Sequence, residues 1–170
     1  LIMAILISPM IVPLIITAAG MFFFYARINL VYTFTGVILA HVALATPFVV
    51  ITVTATLVGF DMNMVKAAQS LGAKPMRTFF KVIMPLILPG IISGALFAFI
   101  TSFDEVVIVM FMASIDQLTI PKQMWAGIRQ EISPVILCMA TCLVLLSIFL
   151  LTTVELLRRR SEKLRGIKAR

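Results

Sequence analysis

Four stretches of this chain, residues 1–24, 30–57, 86–112 and 135–157, are apolar almost throughout, and the polar positions gather between them. Each exceeds the roughly 18 to 20 residues that a helix needs to cross a hydrocarbon core. Lipid offers no partner to backbone N–H and C=O groups, so a spanning segment must satisfy them internally. The pattern therefore predicts an all-α, polytopic transmembrane helical bundle of about four spans.

Local signals refine that bundle. Pro9 and Pro13 in the first stretch and Pro47 in the second remove backbone donors, so kinked spans are expected there. Gly90, Gly94 and Ala98 form a small-residue face on the third, suited to close helix packing. Between the third and fourth stretches, Thr119 and Pro121 predict the start of a short helix, and Trp125 suits the membrane interface. Ser133 and Pro134 repeat the same start before the last span. The apolar run begins at Leu1 with neither a basic stretch nor a small-residue cleavage site, which reads poorly as a signal peptide. Residues 1–170 are accordingly read as one transmembrane domain, with further spans expected upstream.

Charge orients the bundle. Lys66, Lys74, Arg77 and Lys81 lie between the second and third stretches, and seven more basic residues form a tail at 158–170. Only Arg27, Lys122 and Arg129 lie elsewhere. By the positive-inside rule, loop 59–85 and the C-terminal tail are expected to be cytoplasmic, with residues 25–32 and 113–133 facing outward. The same placement explains the net charge of +7 without nucleic acid, since the basic groups flank spans. With 62% hydrophobic and 12% charged residues, the composition excludes an ordinary water-soluble domain. Cys138 and Cys142, one turn apart in the last span, read as packing residues and not as a disulfide or metal site.

Loop 59–85, GFDMNMVKAAQSLGAKPMRTFFKVIMP, is too long for a simple connection. Met64, Val65, Ala68 and Leu71 recur at helical spacing, Gly72 supplies a stop, and a second amphipathic segment runs over 75–83. Small Ala67 and Ala68 permit close contact, which points to a protein docking site. Ala67, Ala68, three residues, Gly72, nine residues, Val82, two residues and Pro85 closely resemble the EAA loop of type I ABC importer permeases. Lys66 stands where that family usually has Glu, and Met84 where it usually has Leu. SPMIVP at 8–13, the His41 region, Pro47, SFDE at 102–105 and the basic tail follow in family order, resembling the spermidine/putrescine-type permeases.

The resemblance implies that Lys66, Ala67, Ala68, Gly72, Val82 and Pro85 belong to a coupling element seated on a cytoplasmic ABC ATPase dimer. It also implies a second permease subunit, an extracellular or periplasmic solute-binding protein and a bacterial inner membrane. The chain has no GxxxxGK[ST] phosphate loop, so ATP and Mg²⁺ would belong to the partner ATPase and no cofactor to this chain.

Asp104 and Glu105 are the only clustered acids inside a span. A charge in lipid costs at least about 2.5 kcal/mol, so both should face protein or water, and with His41 they are the candidate pathway for a small amine solute, a polyamine on this reading. The bland alternative is a hydrated helix break. On an unbroken helix, adjacent residues diverge by about 100°, so only one acid would point directly into a pore. An opine, 4-aminobutyrate or another small solute of the same permease class, an intramembrane hydrolase using His41 with Ser102 or Asp104, and a passive channel are competing readings; no nucleophile or zinc motif supports the hydrolase.

Overall fold

A computed structural model describes residues 1–130 and 133–164. Every regular element among the described residues is helical: α1 (Ile2–Ile11), α2 (Leu14–Arg27), α3 (Phe34–Val58), α4 (Asn63–Ser70), α5 (Pro75–Thr78), α6 (Met84–Phe103), α7 (Val107–Met112), α8 (Ile120–Gln130) and α9 (Pro134–Leu164). A π-helical turn, Phe79–Ile83, joins α5 to α6, and a 3₁₀ turn, Ile115–Gln117, precedes α8. Three rods have the length and hydropathy to cross a membrane: Phe34–Val58, Pro75–Phe103 and the 20-residue part Pro134–Thr153 of α9.

The first apolar stretch is not the kinked span expected from its prolines. Two helices meet there at a 112° bend, so α1 and α2 form a broken span or a re-entrant pair. Pro13 supplies the reason. It has no N–H to extend the ladder of α1 and instead opens α2, where Ile16 and Thr17 donate to its carbonyl at 2.9 and 3.1 Å. The second segment of loop 59–85 also departs from expectation: it is the end of the third span itself, one continuous rod of 29 residues. Pro85 would clash with the Lys81 carbonyl in an α-helical turn, and the backbone widens instead, Met84 N–H donating to Phe79 O.

The α3–α6 contact is the largest between helices. Gly90 and Gly94 make it possible. A Cβ on Gly90 would lie 3.1 Å from the Thr52 carbonyl oxygen, and one on Gly94 would lie 3.1 Å from Val49 Cα. Larger residues would force the helices apart, and the approach lets Phe48 and Phe97 stack with ring centroids at 6.4 Å. A second core joins α2, α3 and α7 through Ala18, Ala40, Ile108 and Met112. Phe22 meets Phe111 edge to face across it.

The third apolar stretch is broken at Asp104, and α7 folds into this second core. At the same end of the bundle, Tyr32 N–H donates to Met112 O at 2.9 Å and Gln117 Nε2 donates to Tyr32 O at 3.1 Å. These bonds hold Tyr32 at φ +61°, a conformation unusual for a bulky residue. The segments 25–32 and 113–117 therefore share one end of the molecule, as alternating spans require. Among the described residues, α9 touches only α6 and α8 appreciably, and none of the side chains of Pro134–Thr153 is buried. Its backbone is helical to Leu164, whereas the side chains of 157–164 and all of 165–170, and with them the basic tail from Arg158, lie outside the described residues.

Candidate functional site

Two regions carry the polar and exposed features that could act on other molecules. The first is the knob formed by α4, α5 and the π turn. α4 ends on a left-handed turn: Gly72 has φ +79°, its N–H reaches Gln69 O at 2.9 Å, and Ala73 N–H reaches Ala68 O at 3.0 Å. Such a turn strains any residue with a Cβ, which explains the glycine. The chain then reverses into α5, where Pro75 occupies the first turn.

Lys66, Ala67, Gly72 and Pro85 are exposed, and Ala68 and Val82 are half-buried. Leu71 is 89% exposed and Met76 72%. The knob thus holds a defined shape while presenting apolar side chains that its own fold leaves uncovered, the property of an anchor that seats in a partner groove. Thr78 lies beneath it, 2% exposed, and among the described residues its hydroxyl has no hydrogen-bond partner. Nothing in the sequence marked Thr78.

The second region is the α6–α7 break and its neighbours. Glu105 is buried, and its Oε1 accepts the Ile108 N–H at 2.7 Å. It therefore satisfies a donor at the start of α7 that no helical carbonyl reaches. The single helix carrying both acids is thus corrected to two helices. Asp104 is exposed, on a groove of about 370 Å³ between α6 and α9 that also includes Phe103, Pro121, Leu143, Val144 and Ser147. The two acids point into different surroundings, and among the described residues neither forms an ion pair. Lys122, one of the three basic residues that could have met them, donates instead to Ala113 O at 2.9 Å.

His41 is half-buried, and its Nδ1 lies 2.7 Å from Ser102 Oγ, a hydrogen bond linking α3 to α6. Among the described residues, Nε2 is enclosed without a hydrogen-bond partner. A hydrolytic arrangement would need an acceptor on that second nitrogen to hold the ring. His41 and Ser102 share with Val37, Ala45 and Thr119 a cavity of about 320 Å³. Sequence reasoning weighed Ser102 only as a nucleophile and missed its role as the partner of His41. It also missed Thr52 and Thr56, whose spacing of four matches that of Gly90 and Gly94 and could have identified the facing stripe.

The family model described as binding-protein-dependent transport system inner membrane component matches residues 1–163. The spermidine/putrescine transport system permease protein PotC of Haemophilus influenzae is 30% identical over 150 residues, which cover 88% of this chain and 58% of that protein. PotC of Escherichia coli K12 is 29% identical over 151 residues, 89% of this chain and 57% of that protein. The putrescine transport system permease protein PotI of the same strain is 37% identical over 103 residues, 61% of this chain and 37% of that protein. The chain thus spans under three fifths of the length of these relatives.

Proposed function

Because the chain belongs to the family of binding-protein-dependent transport system inner membrane components, we propose that it helps form the membrane pathway of an ATP-driven importer for a small amine, a polyamine by preference. The observation that carries this reading is the knob at 59–85: an ordered reversal with exposed apolar side chains has little use on a passive channel, but suits a surface that receives force. A cytoplasmic ATPase dimer would seat it, binding ATP and Mg²⁺ itself. Closure of that dimer would push α4 and, through the continuous Pro75–Phe103 rod, move the α6–α7 break about 42 Å away at 1.5 Å per residue. The unbroken rod gives the two ends a mechanical connection.

On this reading the loop and the C-terminal tail are cytoplasmic, a second permease subunit completes the pathway, and an extracellular or periplasmic binding protein delivers the solute. The amine preference rests on the relatives named PotC and PotI and on Asp104, an exposed carboxylate at the α6–α7 break. Glu105, spent on capping α7, contributes field and not direct contact. The test is uptake of labelled putrescine, spermidine and a neutral amino acid by vesicles holding the assembled system. Saturable, ATP-dependent uptake of the two amines but not the amino acid is expected; uptake of the amino acid alone would overturn the solute assignment, and uptake without ATP would overturn the importer.

A further inference from the structure

The segment after α7 does not stay at the outer end of the bundle. Gln117 is hydrogen-bonded to Tyr32 at that end, yet two residues later Thr119 lines the cavity of His41, Ala45 and Ser102. That cavity runs along α3 from Val37, about 4 Å from its first residue, to Ala45, about 16 Å from it. α9 gives an independent measure of depth. Pro121, at the start of α8, lines the groove that contains Leu143 and Val144, about 14 Å along α9 from Pro134. Six residues further on, Gly127 packs against Ile136, only about 3 Å from the same end. Both rulers give the same course: the chain dips inward after α7, and α8 climbs back out beside α9.

Inside a membrane, a returning segment is tolerated only where it is covered by protein or lines water. α8 is strongly two-sided. At 100° per residue, Lys122, Gln123, Ala126 and Arg129 share one arc, while Trp125 and Ile128 occupy another, and Met124 and Gly127, with Gln123 at the border of the polar arc, line a cavity against α9. Gln123, Ala126 and Arg129 are exposed. Polar and charged groups carried to this depth should meet a wet passage, and the apolar arc lipid or a neighbouring span.

We propose that α8 is a re-entrant helix whose polar face lines the outer half of the solute pathway. The inference rests on the permease reading but not on the identity of the solute. It assigns a pathway role to Gln123 and Ala126 and makes Thr119 the inner tip of the dip.

Cysteine accessibility tests it in the assembled transporter. Cys138 and Cys142 are exposed, so both are first replaced by Ser. Gln123→Cys, Ala126→Cys, Trp125→Cys and Ile128→Cys are then each treated with a membrane-impermeant cationic thiosulfonate. Because the thiolate is the reacting form and apolar surroundings suppress it, positions 123 and 126 should react about tenfold faster than 125 and 128. Labelling at 123 should also block uptake. Equal rates at all four would show a solvated outer loop, and no reaction at 123 and 126 a face sealed by protein; either overturns the proposal. Where a variant assembles poorly, Ile128→Trp in a Trp125→Phe background supplies a second readout. Its fluorescence should be quenched by brominated lipid and not by aqueous acrylamide, and the reverse would place the apolar arc in water and refute the arrangement. Faster labelling at 123 and 126 without protection by putrescine would refute the amine assignment while sustaining the pathway role.

Discussion

Substitution at Gly72 separates the backbone of the knob from its contact surface. The residue sits at φ +79°, and no heavy atom beyond its chain neighbours lies within 4 Å of a Cβ built there. Gly72→Ala therefore meets no clash, and its cost is the left-handed conformation alone, roughly 1 to 2 kcal/mol. At about 1.4 kcal/mol per factor of ten, the ratio of loops holding the docking shape to loops that do not should fall about tenfold. Gly72→Asn should lose less, because Asn tolerates this region better than Ala. Gly72→Trp carries a similar backbone penalty, and no heavy atom lies within 4 Å of its Cβ position. Any loss beyond that of Ala must then arise on a surface seated against residue 72.

The assay is copurification of the ATPase from detergent-solubilised membranes together with solute-stimulated ATP hydrolysis in vesicles, membrane abundance being checked in parallel. The expected order of coupling is Gly, Asn, Ala, Trp. Wild-type copurification and hydrolysis for Gly72→Ala would refute the argument that the turn sets the docking shape. Equal behaviour of Ala and Trp would remove the evidence for a partner at that position.

Other substitutions probe the bundle. Gly94→Leu should lower thermal stability and abundance, since overpacking typically costs about 1 to 3 kcal/mol and Val49 Cα leaves no room; an unchanged melting temperature in detergent would refute the close packing. Glu105→Ala should destabilise by roughly 1 to 3 kcal/mol through the unpaired Ile108 N–H, while Glu105→Gln keeps an acceptor and most of the stability. Thermal unfolding of the pair distinguishes a cap from a purely electrostatic role. Asp104→Asn should leave assembly intact and reduce amine uptake, and uptake equal to wild type would remove the carboxylate from the pathway. Ser102→Ala breaks one partly buried hydrogen bond and should cost about 1 kcal/mol, read as a lower unfolding temperature with His41 still in place.

Much of this protein was legible from its pattern of side chains. Spans 30–57 and 135–157 follow from apolar length, because a membrane helix is specified by what it excludes. The turn at Gly72 and the starts at Thr119 and Ser133 follow from local chemistry, where one residue satisfies or releases a neighbouring backbone group. In each case the cause and its effect lie within a few positions. The glycine face of α6 was recognisable for the same reason.

Other features needed the tertiary structure. Composition alone could not distinguish a kink at Pro13 from a 112° break, since both begin with the same missing N–H and differ in what α2 packs against. Asp104 and Glu105 are neighbours in sequence, but the break between α6 and α7 sends one to an open groove and binds the other to Ile108. Residues 41 and 102 meet only because Gly90 and Gly94 bring α6 against α3. The inward course of 117–121 is likewise invisible in a polar segment between spans. Its depth is defined by distant helices, and hydrophobic periodicity records which face a residue takes but not how far along a neighbouring helix it lies.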